Sequence, residues 1–188
     1  PRLARQQAPE IRDWGRTLGV GEPDEVTKRI AENVSTLIRD GDTIQMGYSM
    51  VTMWFAKLGV FDSRQDLGWH SEITPSGLVT RVEAGLFNGA RKTLHRGKAV
   101  CTSIRVAYEE QKMCHMNPRI ELHDVEYIND IRTISAHDNM VAINGAISVD
   151  LTGQINVEQM PGNYAWNGTG GQPEFIIGSL LSKGGRCI

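Results

Sequence analysis

Cysteine is scarce, charge is balanced and long apolar runs are missing, and each shortage removes a class of function. Lys and Arg number 20 against 22 Asp and Glu in 188 residues. No run of like charge exceeds a few residues, so neither a phosphate-backbone footprint nor a membrane-surface patch is indicated, and no nucleic-acid partner is expected. Apolar stretches such as Met140 to Ile147 are short and interrupted by Asn and Gly, so no membrane segment is expected. The three cysteines, Cys101, Cys114 and Cys187, are odd in number and lack CxxC spacing, which argues against a disulfide framework and a zinc site and fits a reducing cytoplasm. His95, His115, His123 and His137 fall in no HxH, HxxxH or HExxH spacing, so no metal is expected. Walker A and GxGxxG patterns are missing too. The chain opens at Pro1 without a charged-then-apolar leader, so nothing in it reads as a signal peptide, and this opening leads us to expect a fragment or one piece of a larger assembly.

What is present is an alternation of helix and strand signals. Residues 1 to 23, with Pro1, Pro9, Gly15, Gly19, Gly21 and Pro23, show no apolar period and read as a linker or arm. Residues 24 to 188 read as one α/β unit. Asp24 is an N-cap, and Val26, Ile30, Val34, Leu37 and Ile38 form an apolar stripe up to Gly41. Thr43 to Met46 is a strand running into Gly47-Tyr48-Ser49 and then a helical stretch, Val51 to Leu58. Leu67 to Ser71 is a strand that delivers Glu72 to the turn Ile73 to Gly77. Further on, Val79 to Ala84 and Val106 to Met113 read as helices, and Lys98 to Ile104, Ile120 and Val125 to Tyr127 as strands. Met140 to Asn144 and Ile147 to Leu151 flank Gly145-Ala146, which suggests successive strands joined by tight turns and therefore a mixed sheet. Pro173 suits the first turn of a helix from Glu174 to Leu181, and Ser182 to Ile188 reads as a helix stop and the start of another strand.

Two features could carry chemistry. Gly168-Thr169-Gly170-Gly171, ahead of a helix, can present backbone N–H groups to an anion at the positive end of the helix dipole, although a bare glycine turn reads the same way. Glu72, at a strand end, can act as nucleophile or base, or can be no more than a cap. His70 could be a base but suits a packing role, Cys101 reads as a buried structural thiol, and Asp150 reads as structural.

The order of several stretches along the chain is more specific than any of them singly. Leu37-Ile38-Arg39-Asp40-Gly41-Asp42-Thr43-Ile44-Gln45, His70-Ser71-Glu72, Val82-Glu83-Ala84-Gly85 with Lys92-Thr93-Leu94-His95, Tyr127-Ile128-Asn129-Asp130, Asp138-Asn139-Met140-Val141, Val149-Asp150-Leu151-Thr152-Gly153-Gln154, Gly168-Thr169-Gly170-Gly171-Gln172 and Ser182-Lys183-Gly184-Gly185 together resemble the central-to-C-terminal region of the acetyl-CoA hydrolase/transferase family, whose members include 4-hydroxybutyrate and butyrate:acetate CoA-transferases. The resemblance implies a CoA-transferase-like (NagB/RpiA-type) α/β fold with helices on both faces of a mixed sheet, here the second CoA-transferase domain truncated at its C-terminal end. It implies that Glu72 is the nucleophile that forms a mixed anhydride and then a glutamyl-CoA thioester. Gly170 and Gly171, with Gly168 and Gln172, are then the oxyanion or CoA-binding cradle, Asn129 lies near the CoA, and Gly47 sits in the loop facing the nucleophile. Substrates would be an acyl-CoA and a small carboxylic acid, with no cofactor besides coenzyme A as substrate. An oligomer is implied, with the first CoA-transferase domain supplied by another segment or a partner chain. An acyl-CoA hydrolase and a non-catalytic CoA-binding or assembly subunit are the alternatives. The sequence departs from the family pattern at Gly47-Tyr48-Ser49-Met50-Val51-Thr52, where members carry Gly-x-Gly-x-x-Pro, at Ile131, where they carry proline, and at Thr74-Pro75-Ser76-Gly77, where the turn is usually acidic.

Overall fold

The computed structural model describes residues 22–160, 164–165 and 168–188. The arm expected at the start thus lies almost wholly outside the described residues. Asp24 caps the first helix as the sequence predicts: its carboxylate accepts from the Thr27 N–H at 2.7 Å, and α1 runs Glu25–Ser35. The buried face differs from the expected stripe. Thr27, Ala31, Val34 and Ile38 are inside, while Val26, Ile30 and Leu37 are exposed. Thr27 and Ala31 are short, so this face brings the helix axis closer to the sheet than the larger side chains would allow.

Six strands form the sheet: β1 Thr43–Met46, β2 Gly68–Pro75, β3 Ala99–Arg105, β4 Ile120–Leu122, β5 Met140–Ile143 and, last in the chain, β10 Arg186–Cys187. Their order is β10-β5-β1-β2-β3-β4, and every pairing is parallel. The mixed sheet read from the sequence is corrected to this extent. The antiparallel pairs are two separate ribbons, β6 Ser148–Val149 with β7 Ile155–Asn156, and β8 Gln159–Met160 with β9 Tyr164–Ala165. β1 and β5 are buried at every position, as strands covered on both faces must be.

Helices cover both faces. α2 Leu78–Glu83 and α1 pack with Trp69, Phe61, Phe87, Ala99, Cys101 and Val141 in one cluster. Trp69 and Phe61 each meet the Phe87 ring edge-on at 5.7 and 5.3 Å, contacts worth about 0.5–1.5 kcal/mol apiece beyond burial. α3 Tyr108–Cys114 links β3 to β4. On the other face α4 Val125–Ile128, α5 Ile131–Ser135 and α6 Gln172–Leu181 contribute Ile128, Ile134 and Phe175 to a second cluster with Val100, Met140 and Ala142. β3 and β5 send alternate residues to the two clusters, as the strand period requires. Asp42, 2% exposed, accepts from Arg186 at 2.6 Å and ties the edge strand back to the start of β1.

Two elements differ from the sequence reading for local reasons. The expected helix from Val51 to Leu58 is a single 3₁₀ turn, Thr52–Trp54, followed by turns. Ser49 and Thr52 exchange side-chain hydrogen bonds with each other's N–H groups at 3.1 and 3.0 Å, and the Thr52 hydroxyl donates to the Gly47 carbonyl, so hydroxyls take the place of a regular ladder. Val125 to Tyr127, expected as a strand, is the short α4. Asp124 caps it, accepting from the Tyr127 N–H at 2.9 Å. The chain moves from β1 outward to β4 and then returns to place β5 on β1's other side. β1 and β5 therefore flank a switch point, and in parallel sheets ligands settle beyond the carboxyl ends of the strands at such a point.

Candidate active site

Glu72 reaches that edge by a different route from the one expected. β2 does not stop at Ser71 but continues to Pro75, so Glu72 lies inside the strand and the turn begins only at Ser76 and Gly77. Its neighbour β1, however, ends at Met46. The Ser71 hydroxyl accepts from the Met46 N–H at 3.3 Å and stands 3.2 Å from the carbonyls of Met46 and Ile73, replacing the backbone ladder there. Carrying the Thr43–Gly68 and Ile44–Trp69 register along β1 sets its last residue, Met46, level with Ser71, so Glu72 stands one residue past the end of β1, half-buried at the carboxyl edge of the sheet.

Two other residues named from the sequence meet it. Asn129 follows the last residue of α4, and its side-chain Nδ2–H donates to Glu72 Oε2 at 3.2 Å. Gly171 sits at the N-terminal end of α6. A Cβ there would lie 2.4 Å from Asn129 Nδ2 and 2.6 Å from Glu72 Oε2, so only glycine lets the helix end stand this close. The positive end of a ten-residue helix therefore abuts the carboxylate, an arrangement that favours negative charge, although the Gln172 N–H is given to the Thr169 carbonyl at 3.4 Å and Pro173 has none to offer. Gly168 and Gly170 are not part of this contact: both are exposed, and no atom lies within 4 Å of a Cβ at either. Gly170 has φ +55°, which turns the chain into α6. Gln172 is the first residue of the helix. Gly47 directly follows β1, donates to the Ile143 carbonyl at 2.8 Å, and packs against Asn144 across the switch point.

Sequence reasoning missed Thr102. The β2–β3 register, with Ser71 opposite Cys101 and Ile73 opposite Ser103, sets Thr102 beside Glu72. Its Oγ1 and the Asn129 Oδ1 are both buried without a hydrogen-bond partner among the described residues. Buried polar atoms are rarely left so, and two of them beside one carboxylate mark a place where a ligand can bind. No sequence signal could have found Thr102, because its neighbour is thirty positions away and set by register.

The surroundings are dry. His70 is fully buried, its Nε2 is 2.9 Å from the Ile128 carbonyl, and burial pushes its pKa down to about 3, so it is a neutral packing ring with little affinity for a proton. His137, 4.7 Å away ring to ring, is pushed down to about 2 by burial and by His70. Lys92, 1% exposed, donates to the carbonyls of Trp69 and Lys98 at 2.9 Å each, and burial lowers its pKa to about 7. Burial raises the Cys101 thiol, which suits an inert core thiol, whereas Cys187 is exposed. The Asp150 carboxylate accepts from the Thr152 and Gln154 N–H groups at 2.7 and 3.0 Å and shapes a turn. At the mouth, Tyr48 carries Arg105 over its ring at 5.5 Å and Met50 is exposed. An open depression lined by Asp62, Arg64, Asp66, Arg81 and Asn88 shares no residue with this site. Local spacing, on which no metal is expected, does not register long-range proximity: His95 stands beside Glu121 and His123.

Residues 108–188 match the family described as acetyl-CoA hydrolase/transferase C-terminal domain. The chain is 40% identical over 164 residues to the 4-hydroxybutyrate coenzyme A transferase of Clostridium kluyveri, an alignment covering 87% of this chain and 38% of that protein. It is 36% identical to the succinyl-CoA:cyclohexane-1-carboxylate CoA transferase of Geobacter metallireducens, covering 86% of this chain and 36% of the other. The crystal structure of RipA from Yersinia pestis shares the fold with a TM-score of 0.81 and 35% identity over 89% of this chain and 38% of that one. The chain spans about two fifths of the length of the relatives it matches. No helix among the described residues is long and apolar enough to cross a membrane.

Proposed function

Because the chain belongs to the acetyl-CoA hydrolase/transferase family, we propose that residues 24–188 are the second CoA-transferase domain of an enzyme that moves CoA between an acyl-CoA and a carboxylic acid through Glu72. The observation that carries this reading is the three-way contact of Glu72, Asn129 and the Gly171 end of α6. A Glu72 carboxylate oxygen attacks the thioester carbonyl; the C–S bond breaks, and CoA thiolate leaves a mixed anhydride. The thiolate then attacks the Glu72 carbonyl, the C–O bond to the enzyme breaks, and the first acid departs from a glutamyl-CoA thioester. An acceptor carboxylate reverses the two steps. Covalent catalysis in this way divides one difficult transfer between easier displacements.

Asn129 aims the carboxylate, and its free Oδ1, with Thr102 Oγ1, meets polar groups of the bound thioester. The α6 N-terminus stabilises the oxyanions that form. Tyr48 and Met50 narrow the acyl pocket. The reaction draws on the first CoA-transferase domain, from a further segment or a partner chain in an oligomer, and on no cofactor besides the CoA it exchanges. The names of the matched relatives favour transfer to an acid over hydrolysis; dependence of turnover on an acceptor acid separates the two.

The test is peptide mass spectrometry of the full-length protein after addition of short acyl-CoAs. A CoA adduct on the Glu72 peptide, released by hydroxylamine and lost in Glu72→Ala, is expected. Bound CoA with no adduct from any acyl-CoA would sink the covalent mechanism and favour a binding or assembly role.

A further inference from the structure

A second cluster of chemically capable side chains stands apart from Glu72. His95 lies in the loop between α2 and β3, while Glu121 is on the edge strand β4 and His123 just beyond it. The parallel register of β3 on β4, Ala99 opposite Ile120 and Cys101 opposite Leu122, brings that loop against the end of β4. His95 Nδ1 is 2.8 Å and His123 Nε2 3.4 Å from the same carboxylate oxygen, Glu121 Oε2. One donor atom from each residue lies within 4.8 Å of the other two. Tetrahedral zinc, about 2.0–2.1 Å from each nitrogen or oxygen ligand, holds neighbouring ligand atoms roughly 3.3 Å apart, so side-chain shifts of no more than about 1.5 Å convert this cluster into a coordination set.

The other ring nitrogen of His95 is also spoken for. Its Nε2 is 2.7 Å from the Tyr127 hydroxyl. The Tyr127 hydroxyl can donate to Nε2 or accept from it; when Nε2–H is the donor, the Nδ1 lone pair faces Glu121 Oε2 at 2.8 Å and is available to a metal ion. A histidine anchored through one nitrogen by an outer partner is the usual arrangement of a metal ligand. Lys98 Nζ, the competing cation, stands 3.6 Å from the opposite oxygen, Oε1, and leaves Oε2 to the imidazoles. The three ligand side chains are 22–32% exposed, which leaves a coordination position open to water.

We propose that His95, Glu121 and His123 form a site for one divalent transition-metal ion of the zinc type, with Tyr127 orienting His95. Two imidazoles and one carboxylate suit zinc or cobalt, whereas calcium and magnesium prefer oxygen ligands throughout. The ion ties the loop before β3 to the corner that carries α4, whose C-terminal neighbour Asn129 reaches Glu72. The proposal does not rest on the CoA-transferase reading.

The experiment titrates the chelator-stripped protein with Co²⁺, followed by visible d–d absorption, and with Zn²⁺ in competition with a chromophoric chelator. One equivalent per chain is expected, with affinity lost in His95→Ala and His123→Ala and about 10–100-fold weaker in Tyr127→Phe. Cys187→Ser removes an exposed thiol as a rival ligand and is expected to change nothing. Long-range ¹H–¹⁵N spectra of the unaltered protein keep the test open should a variant misfold: two imidazoles shift on adding Zn²⁺. Absence of saturable binding, shifts in no imidazole, or stoichiometric binding that persists in the His95→Ala/His123→Ala double variant overturns the proposal.

Discussion

Replacing Gly171 by alanine adds a single methyl group where the structure has no room for one. The Cβ would sit 2.4 Å from Asn129 Nδ2 and 2.6 Å from Glu72 Oε2, about 0.8–1 Å short of ordinary contact. The left-handed strain that favours glycine does not enter, since Gly171 has φ −88° and ψ 6°, which is open to alanine. The methyl must therefore displace Glu72, Asn129 or the end of α6 by roughly 1 Å. Overpacking of this kind costs about 1–3 kcal/mol of stability, and a misplacement of about 1 Å at reacting groups costs roughly a hundredfold in rate. The assay is the rate of CoA-adduct formation on Glu72 in the full-length protein with acetyl-CoA, alongside circular dichroism and thermal melting. Gly168→Ala is the matched control, because its Cβ enters open space, and its rate is expected to stay within about twofold. A Gly171→Ala protein that is folded and forms the adduct within about twofold of the unaltered rate would refute the claim that this contact positions the nucleophile.

Two further outcomes follow from neighbouring residues. Asn129→Ala removes the one hydrogen bond that a side chain among the described residues donates to Glu72 Oε2 and should slow adduct formation by roughly 10–100-fold at any pH, whereas Asn129→Asp should recover as pH falls and the new carboxyl, raised by the charge beside it, gains a proton to donate. A pH-independent defect in the Asp variant would count against the hydrogen bond. His137, buried with neither ring nitrogen paired among the described residues, is held neutral down to a pKa of about 2 by burial and His70. The unfolded chain takes up its proton below about pH 6.5 and the folded chain does not, so stability is full above that pH and falls as pH drops, by about 2 kcal/mol at pH 5 for this residue. His137→Leu gives up no hydrogen bond and should shrink the stability lost between pH 7.5 and 5, read from urea unfolding, by about 2 kcal/mol. An unchanged loss would mean that water or rearrangement pairs the ring.

The α/β alternation, the N-cap at Asp24 and the glycine turn into α6 were legible because caps, turns and apolar runs are local. The errors were local too. Val125-Glu126-Tyr127 read as a strand because the alternation mimics period two and a short helix with a capping Asp124 buries too few residues to show its own period. The parallel sheet was hidden because β5 and β6 are neighbours in sequence but pair with other partners, β5 with β1 and β10, and β6 with β7.

Within the candidate site, the sequence by itself determined which residue types stand at which intervals, and so that Glu72, Asn129 and the glycines before α6 resemble one family pattern, since ordered intervals can be read without knowledge of contacts. Only the tertiary structure decided that Gly171, rather than Gly168 or Gly170, faces the carboxylate, that Thr102 stands beside it, and that His95 joins Glu121 and His123. Each depends on the register of parallel strands whose partners lie twenty or more residues apart, and one step of register would turn those side chains to the opposite face.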